Sequence, residues 1–165
     1  MNDPGENTRE IRINPIVPTE SVLVATARGM RPKEAEERVE RGEHFVAIKP
    51  FAIRFEREIH ILPLKHQAYF LKASRTELDD FARVLRRTMA RLDKVVGGVQ
   101  YNFFLHSVPH GREFDDRQES YHWHLEICPR TSIPTGFQLG SGLFVSTVSP
   151  ELAAESLRNA DIDGD

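Results

Sequence analysis

Between Ser74 and Gly98 runs one long stretch whose apolar residues recur at helical spacing, and it dictates what the rest of the molecule must supply. Ser74-Arg75-Thr76-Glu77 fits a capping box, in which the serine hydroxyl accepts from a free backbone N–H and the glutamate reaches back to the cap. Leu78, Phe81, Ala82, Leu85, Met89, Leu92 and Val96 follow at steps of three, four and seven, and Gly97-Gly98 ends the run. A stripe of that length needs a broad apolar partner, and the flanking segments offer strands. Ile11 to Ile16 alternates and Ser21 to Ala27 is rich in β-branched residues, which predicts a strand pair joined through Pro18. Further strands are predicted at Phe45 to Ile48, Glu58 to Leu64, Val99 to His106, Tyr121 to Cys128 and Leu143 to Val148, with a closing helix that Ser149 caps and Pro150 opens. Lys33 to Glu40 reads as a short charged surface helix ended by Gly42, and Gly136 to Gly142 as a glycine-rich loop. The expectation is an α+β fold: a mostly antiparallel sheet crossed by one long helix, plus an N-terminal strand pair and a C-terminal helix. Residues 1–10 read as a flexible N-terminus and 11–160 as a single domain.

Composition narrows the function classes. With 165 residues, a net charge of -3 and 39% hydrophobic residues, the chain has the make-up of an ordinary soluble globule. It has no apolar run near the roughly 20 residues a bilayer crossing needs, and its first residues lack a signal peptide's basic and apolar regions, so no membrane partner and a cytoplasmic location are expected. Its single cysteine, Cys128, excludes an intrachain disulfide and any cysteine-built zinc site within one chain. A pI near 6.2 without a basic cluster argues against nucleic acid, because duplex binding needs many phosphate contacts. Phosphate, if handled at all, is then expected on a small molecule.

The chemistry concentrates in Tyr121-His122-Trp123-His124-Leu125-Glu126-Ile127-Cys128. Side chains alternate along a strand, so His122, His124 and Glu126 are predicted on one face and Trp123, Leu125 and Ile127 on a core face. Residues two apart lie about 6.6 Å from one another, close enough to share an ion or a phosphate, whereas His122 and Glu126 at about 13 Å cannot both bind one ion. His106, on the polar face of the preceding strand, is the expected third group. Two chemistries fit: His124 attacking an α-phosphorus while His122 stabilises the phosphoryl oxygens, or His106, His122 and His124 binding zinc or iron. Both require this face to open into an accessible cleft.

The run His122 to Arg130 resembles the histidine-triad superfamily signature, in which histidines alternate with apolar residues on a strand and Pro-Arg follows. More of the chain is similar to the C-terminal half of galactose-1-phosphate uridylyltransferases: Phe45 to Phe55, Ile61 to His66, Tyr101-Asn102 with His106, His122 to Arg130, Gly136 to Gly142 and Ser149-Pro150-Glu151. The resemblance implies a HIT-like fold and action on a nucleotide or nucleotide-sugar by nucleotidyl transfer or phosphorolysis. It implies His124 and Glu126 as catalytic, His122, Lys65, Asn102 and Arg130 as substrate-binding, and His106, His122 and His124 as metal ligands. The family's nucleophile sequence H-P-H-G-Q is missing from this chain; Pro109-His110-Gly111 matches it only superficially. Glu126 stands where the superfamily has its third histidine, and it serves as a leaving-group acid only if its pKa is raised. The alternatives are a non-catalytic, metal-stabilised nucleotide-binding module and a HIT-type nucleotide hydrolase. A homodimer is expected, since single domains of this kind often complete a site by pairing.

Overall fold

The computed structural model describes residues 9–13, 21–25, 38–50, 53–108 and 121–162. Of the N-terminus predicted flexible over 1–10, residues 1–8 lie outside the described residues while Arg9 and Glu10 open the first strand; the charged stretch 33–37 and His110 also lie outside the described residues. Two sheets are present. Strands β1 (Arg9–Ile13) and β2 (Ser21–Ala25) pair antiparallel, and β8 (Phe144–Ser146) joins β2 in parallel. The larger sheet has the order β3-β4-β5-β7-β6, with β3 Arg38–Arg41, β4 Phe45–Ile48, β5 Ile59–Pro63, β6 Tyr101–His106 and β7 His124–Pro129, every neighbour antiparallel.

Helix α1 (Arg75–Val96) has the predicted capping box, with Ser74 accepting from the Glu77 backbone N–H, and it ends at Gly97 in the left-handed conformation that glycine adopts without penalty. Its most buried row, Asp80, Val84, Thr88 and Leu92, shares Leu92 with the expected stripe and otherwise sits one position away from it, with Phe81, Leu85 and Met89 half-buried beside it and Ala82 exposed. Asp80 is buried because its carboxylate accepts from the backbone N–H groups of His44 (2.7 Å) and Phe45 (3.2 Å), tying the helix to the β3–β4 turn. Gly42 is required there: a Cβ would lie 2.4 Å from both Asp80 oxygens. The core lies between α1, α3 (Pro150–Arg158) and one face of the sheet, where Ile59, Ile61, Leu125 and Ile127 meet Val84, Leu92, Ala154 and Leu157. Trp123 fills its centre among Phe45, Phe70 and Phe81, ring centroids 5.0–5.8 Å apart.

Two expectations are corrected. The predicted surface helix at Lys33 to Glu40 gives way, from Arg38 on, to strand β3, which pairs with β4; Val39 is buried in the core, and tertiary packing overrides the helix-favouring charge run. The predicted loop Gly136 to Gly142 is a short helix, α2 (Gly136–Ser141), capped by Thr135 and Gln138. Among the described residues no helix is long and apolar enough to cross a membrane.

Candidate functional site

The face of the sheet turned away from α1 carries the titratable groups, and the strand register lays them out. His60 of β5, Glu126 of β7 and Phe104 of β6 stand abreast; one step along, His124 stands beside His106. The His124 ring is flanked by two others, His106 at 4.8 Å and 15° and His60 at 5.3 Å and 24° between centroids and planes. Glu126 meets all three: its Oε1 lies 3.6 Å from Nε2 of His60 and of His124, and its Oε2 lies 3.4 Å from His106 Nε2. From the β4–β5 loop the Arg54 guanidinium donates to the same Oε2.

Protons in this cluster are placed by what each nitrogen meets. Nδ1 of His124 lies 3.1 Å from the His122 carbonyl, which only accepts, so Nδ1 carries a hydrogen; in the neutral ring Nε2 is then the nitrogen with the lone pair. Nε2 of His60 donates to Glu58 Oε1 at 2.9 Å, which leaves His60 Nδ1 bare. Among the described residues neither His60 Nδ1 nor His124 Nε2 has a hydrogen-bond partner, and both atoms are buried. Glu58 in turn accepts from the Arg54 and Phe55 backbone N–H groups at 2.7 and 3.2 Å. Burial is the largest single influence and opposes the charge of Glu58, but the hydrogen bond and charge of His60 together with the Arg54 charge and backbone N–H outweigh it and hold the carboxyl below its ordinary range. Under the loop, Lys49 is fully buried and donates to the Glu56 carbonyl at 3.2 Å and to the Glu58 carbonyl; burial drops its pKa to about 7.

Glu126 feels the same contest. Burial pushes its pKa up, and His124, His60, Arg54 and His106 together pull it down to about 2. At neutral pH it is a carboxylate, an acceptor without a proton to give, so the condition for a leaving-group acid at this position is not met. Burial also pushes the Cys128 thiol up to about 12, which makes it an inert core group at neutral pH.

The fold brings His106, His124 and Glu126 together, as expected, but not the side chain of His122. Strand β7 begins at His124; His122 precedes it, its Nε2 donates to the Pro63 carbonyl at 2.8 Å, and its ring stands edge-on to His66 at 5.5 Å. The alternation argument fails for His122 because the strand starts three residues later than predicted. Asn102 lies opposite Cys128 and shares the face of Phe104 and His106. Arg130 is exposed just after β7, and Lys65 lines a separate depression of about 550 Å³ with His44 and Glu77 at the start of α1. The face is drier than an accessible cleft requires: His124 is 2% exposed and His60 1%, and among the described residues of the cluster His106, with 40% of its side chain exposed, and to a lesser extent Arg54 open it to solvent. Sequence reasoning missed His60 and its partner Glu58. A signal was present, since Glu58-Ile59-His60 repeats the acid and imidazole alternation of His124-Leu125-Glu126 on the adjoining strand.

A divalent cation is chemically compatible with this cluster. His60, His124 and Glu126 each offer a ligand atom, all within 4.8 Å of one another, and the set of imidazole nitrogens and one carboxylate is what zinc or iron takes. The buried, partnerless Nε2 of His124 is the atom a cation would satisfy.

No family model matches the chain. It is 33% identical over 138 residues to the galactose-1-phosphate uridylyltransferase of Thermotoga maritima, covering 79% of this chain and 43% of that protein. It is 29% identical over 125 residues to the ADP-glucose phosphorylase of Arabidopsis thaliana, covering 75% of this chain and 35% of that protein. The chain thus spans less than half the length of these relatives. Among solved structures it is similar to the Arabidopsis thaliana ADP-glucose phosphorylase with bound ADP-glucose, at TM-score 0.72 and 26% identity over 79% of this chain and 41% of that one. A histidine-triad nucleotide-binding protein from Sulfolobus tokodaii matches at TM-score 0.53 and 19% identity, over 76% of this chain and 83% of that one. A zinc-bound histidine-triad family protein from Mycobacterium smegmatis matches at TM-score 0.50 and 19% identity, over 76% and 83%. The resemblance to the uridylyltransferases read from the sequence therefore holds, and the fold is HIT-like.

Proposed function

We propose, from the likeness to uridylyltransferase and ADP-glucose phosphorylase, that this chain binds a nucleotide-sugar and takes part in nucleotidyl transfer, with His124 as the reacting residue. The observation that carries this is the His124 ring itself: one nitrogen is anchored to the main chain and the other keeps a lone pair beside an ionised carboxylate. In this reading the Nε2 lone pair attacks the α-phosphorus. An N–P bond forms, the P–O bond to the departing sugar phosphate breaks, and that group leaves with the bonding electrons. The ring is then a cation whose Nδ1–H still donates to the His122 carbonyl and whose charge is balanced by Glu126. Substrate enters from the exposed side of His106, and Asn102, on the same face of β6, is the proposed polar contact for it. Lys65 and His122 face the separate depression and the Pro63 carbonyl, respectively, and Arg130 lies past the far end of β7, so none of the three is assigned to it. In an ADP- or UDP-sugar incubation, His124→Ala is expected to abolish formation of sugar phosphate, and full activity in that variant would sink the reading.

The burial of His124 Nε2 favours a second reading, a nucleotide-binding module stabilised by a metal. His60, His124 and Glu126, with His106 beside them, would hold zinc or iron, which supplies a positive charge and fixes the ligand rings. Elemental analysis separates the readings: a stoichiometric cation that is lost with His124→Ala, in a protein without turnover, supports the second. A homodimer is also proposed. Strand β6 is a sheet edge with Tyr101, Phe103, Phe104 and Leu105 each 44–47% exposed and no charged residue among them, a surface that strand pairing would cover. Sedimentation at micromolar concentration showing only an 18.9 kDa species would refute it.

A further inference from the structure

We propose that His60, anchored by Glu58, is a positioning residue that locks the orientation of the His124 ring, an inference resting on the reading of His124 as the reacting residue. An imidazole in a strand can turn over about its Cβ–Cγ bond, which exchanges the nitrogen held at the main chain for a carbon and moves the lone pair elsewhere. Among the described residues the hydrogen bond that holds the His124 ring is the 3.1 Å bond from Nδ1 to the His122 carbonyl, with Glu126 Oε1 farther off at 3.6 Å from Nε2, and one such bond has a modest net worth. What closes the ring in is the pair of near-parallel faces, His106 on one side and His60 on the other. His106 is part-exposed, so the rigid wall is His60.

His60 is poorly explained as core packing. It is 1% exposed, yet its Nδ1 is left without a partner, and an unsatisfied buried nitrogen is a penalty that a leucine in the same slot would not carry. The surroundings work to hold its plane still. Glu58 Oε1 takes the Nε2 hydrogen, the two backbone N–H groups of Arg54 and Phe55 fix Glu58 Oε2, and Lys49 ties down the Glu56 and Glu58 carbonyls beneath. That is a continuous set of contacts from the loop to one ring face, and the ring face ends on His124.

The test is the tautomer of His124, read by ¹⁵N NMR on the chelator-treated full-length protein, alongside kcat and KM for an ADP- or UDP-sugar. Wild type is expected to show a single tautomer protonated at Nδ1. His60→Leu is expected to show a mixture and a kcat lower by about 2- to 10-fold, the worth of one aromatic pair, with KM unchanged; His60→Phe, which restores a ring face but no hydrogen bond, is expected to return both to wild type. A single Nδ1-protonated tautomer with wild-type kcat in His60→Leu would overturn the proposal, as would failure of folded His60→Phe to restore the tautomer. If His60→Leu does not fold, Glu58→Ala leaves the His60 ring present but unanchored and is expected to give the same mixture, an unchanged tautomer there counting against the proposal. Absence of turnover in wild type defeats the catalytic reading alone, because the NMR signal still reports whether His60 orients His124.

Discussion

The two faces of the central sheet are equally dry and are held together by different means. Ile59, Ile61, Trp123 and Ile127 on one face are fully buried, and Glu58, His60, His124 and Glu126 on the other are no more than 4% exposed. The apolar face is stabilised by area removed from water and by close packing, which are non-directional, so the loss from a substitution scales with the volume removed. The polar face has no such freedom. Each group there was stripped of water, and it stays in place only because a specific neighbour replaces that water, so removing one member strands another. Burial alone therefore says little about how a region of this molecule responds to change; the identity of the partner decides it.

The largest expected effect lies on the apolar side. Trp123→Ala, at the centre of three aromatic rings, is expected to lower the urea-unfolding free energy by about 3–5 kcal/mol, and a loss below about 1 kcal/mol would mean that the core collapses around the gap. On the polar side Arg54→Met is expected to destabilise by about 2–3 kcal/mol, somewhat under the range for a fully buried pair because Arg54 is 21% exposed. The paired change Arg54→Met with Glu126→Leu is expected to recover most of that loss. If the double variant is no better than the single, the faces differ less than argued here.

Proton linkage sharpens the contrast, because only one face titrates. Glu126 is held at about 2 against an ordinary 4.5, so its contribution is complete above pH 4.5 and is lost as pH falls toward 2; Glu126→Gln is expected to flatten that part of the stability curve. Lys49 works in the opposite range. With its pKa lowered from 10.5 to about 7, the unfolded chain holds more protons than the folded one between those values, so stability is expected to rise with pH across that interval, and Lys49→Met is expected to remove the rise. The smallest effect belongs to neither face: Ser74→Ala at the α1 cap is expected to lower stability by about 1 kcal/mol without altering either titration, as followed by thermal melts.

What the amino-acid order made legible follows the same division. Helix α1, its cap and its glycine end were readable because they depend on contacts three and four residues apart, and β4 was readable because Pro50 bounds it. The core role of Trp123 followed from alternation alone. Strand β3 was not readable: its sequence favours a charged helix, and it is a strand only because β4 lies beside it. Within the site, His124 and Glu126 followed from their own spacing and His106 from the strand before them. His60 did not, since its place depends on β5 lying between β4 and β7, a topology that local sequence does not encode. His122 was misplaced by a strand start three residues off, enough to turn its ring to Pro63.

Lys49 also offers a chemical handle. With a pKa near 7 much of its amine is unprotonated in neutral buffer, the form that attacks acylating reagents, yet no part of it meets solvent. Surface lysines should therefore be modified at once while Lys49 reacts only at moments when the loop beneath the imidazole cluster lifts. The rate of its acylation, followed by peptide mass, would serve as a clock for that opening.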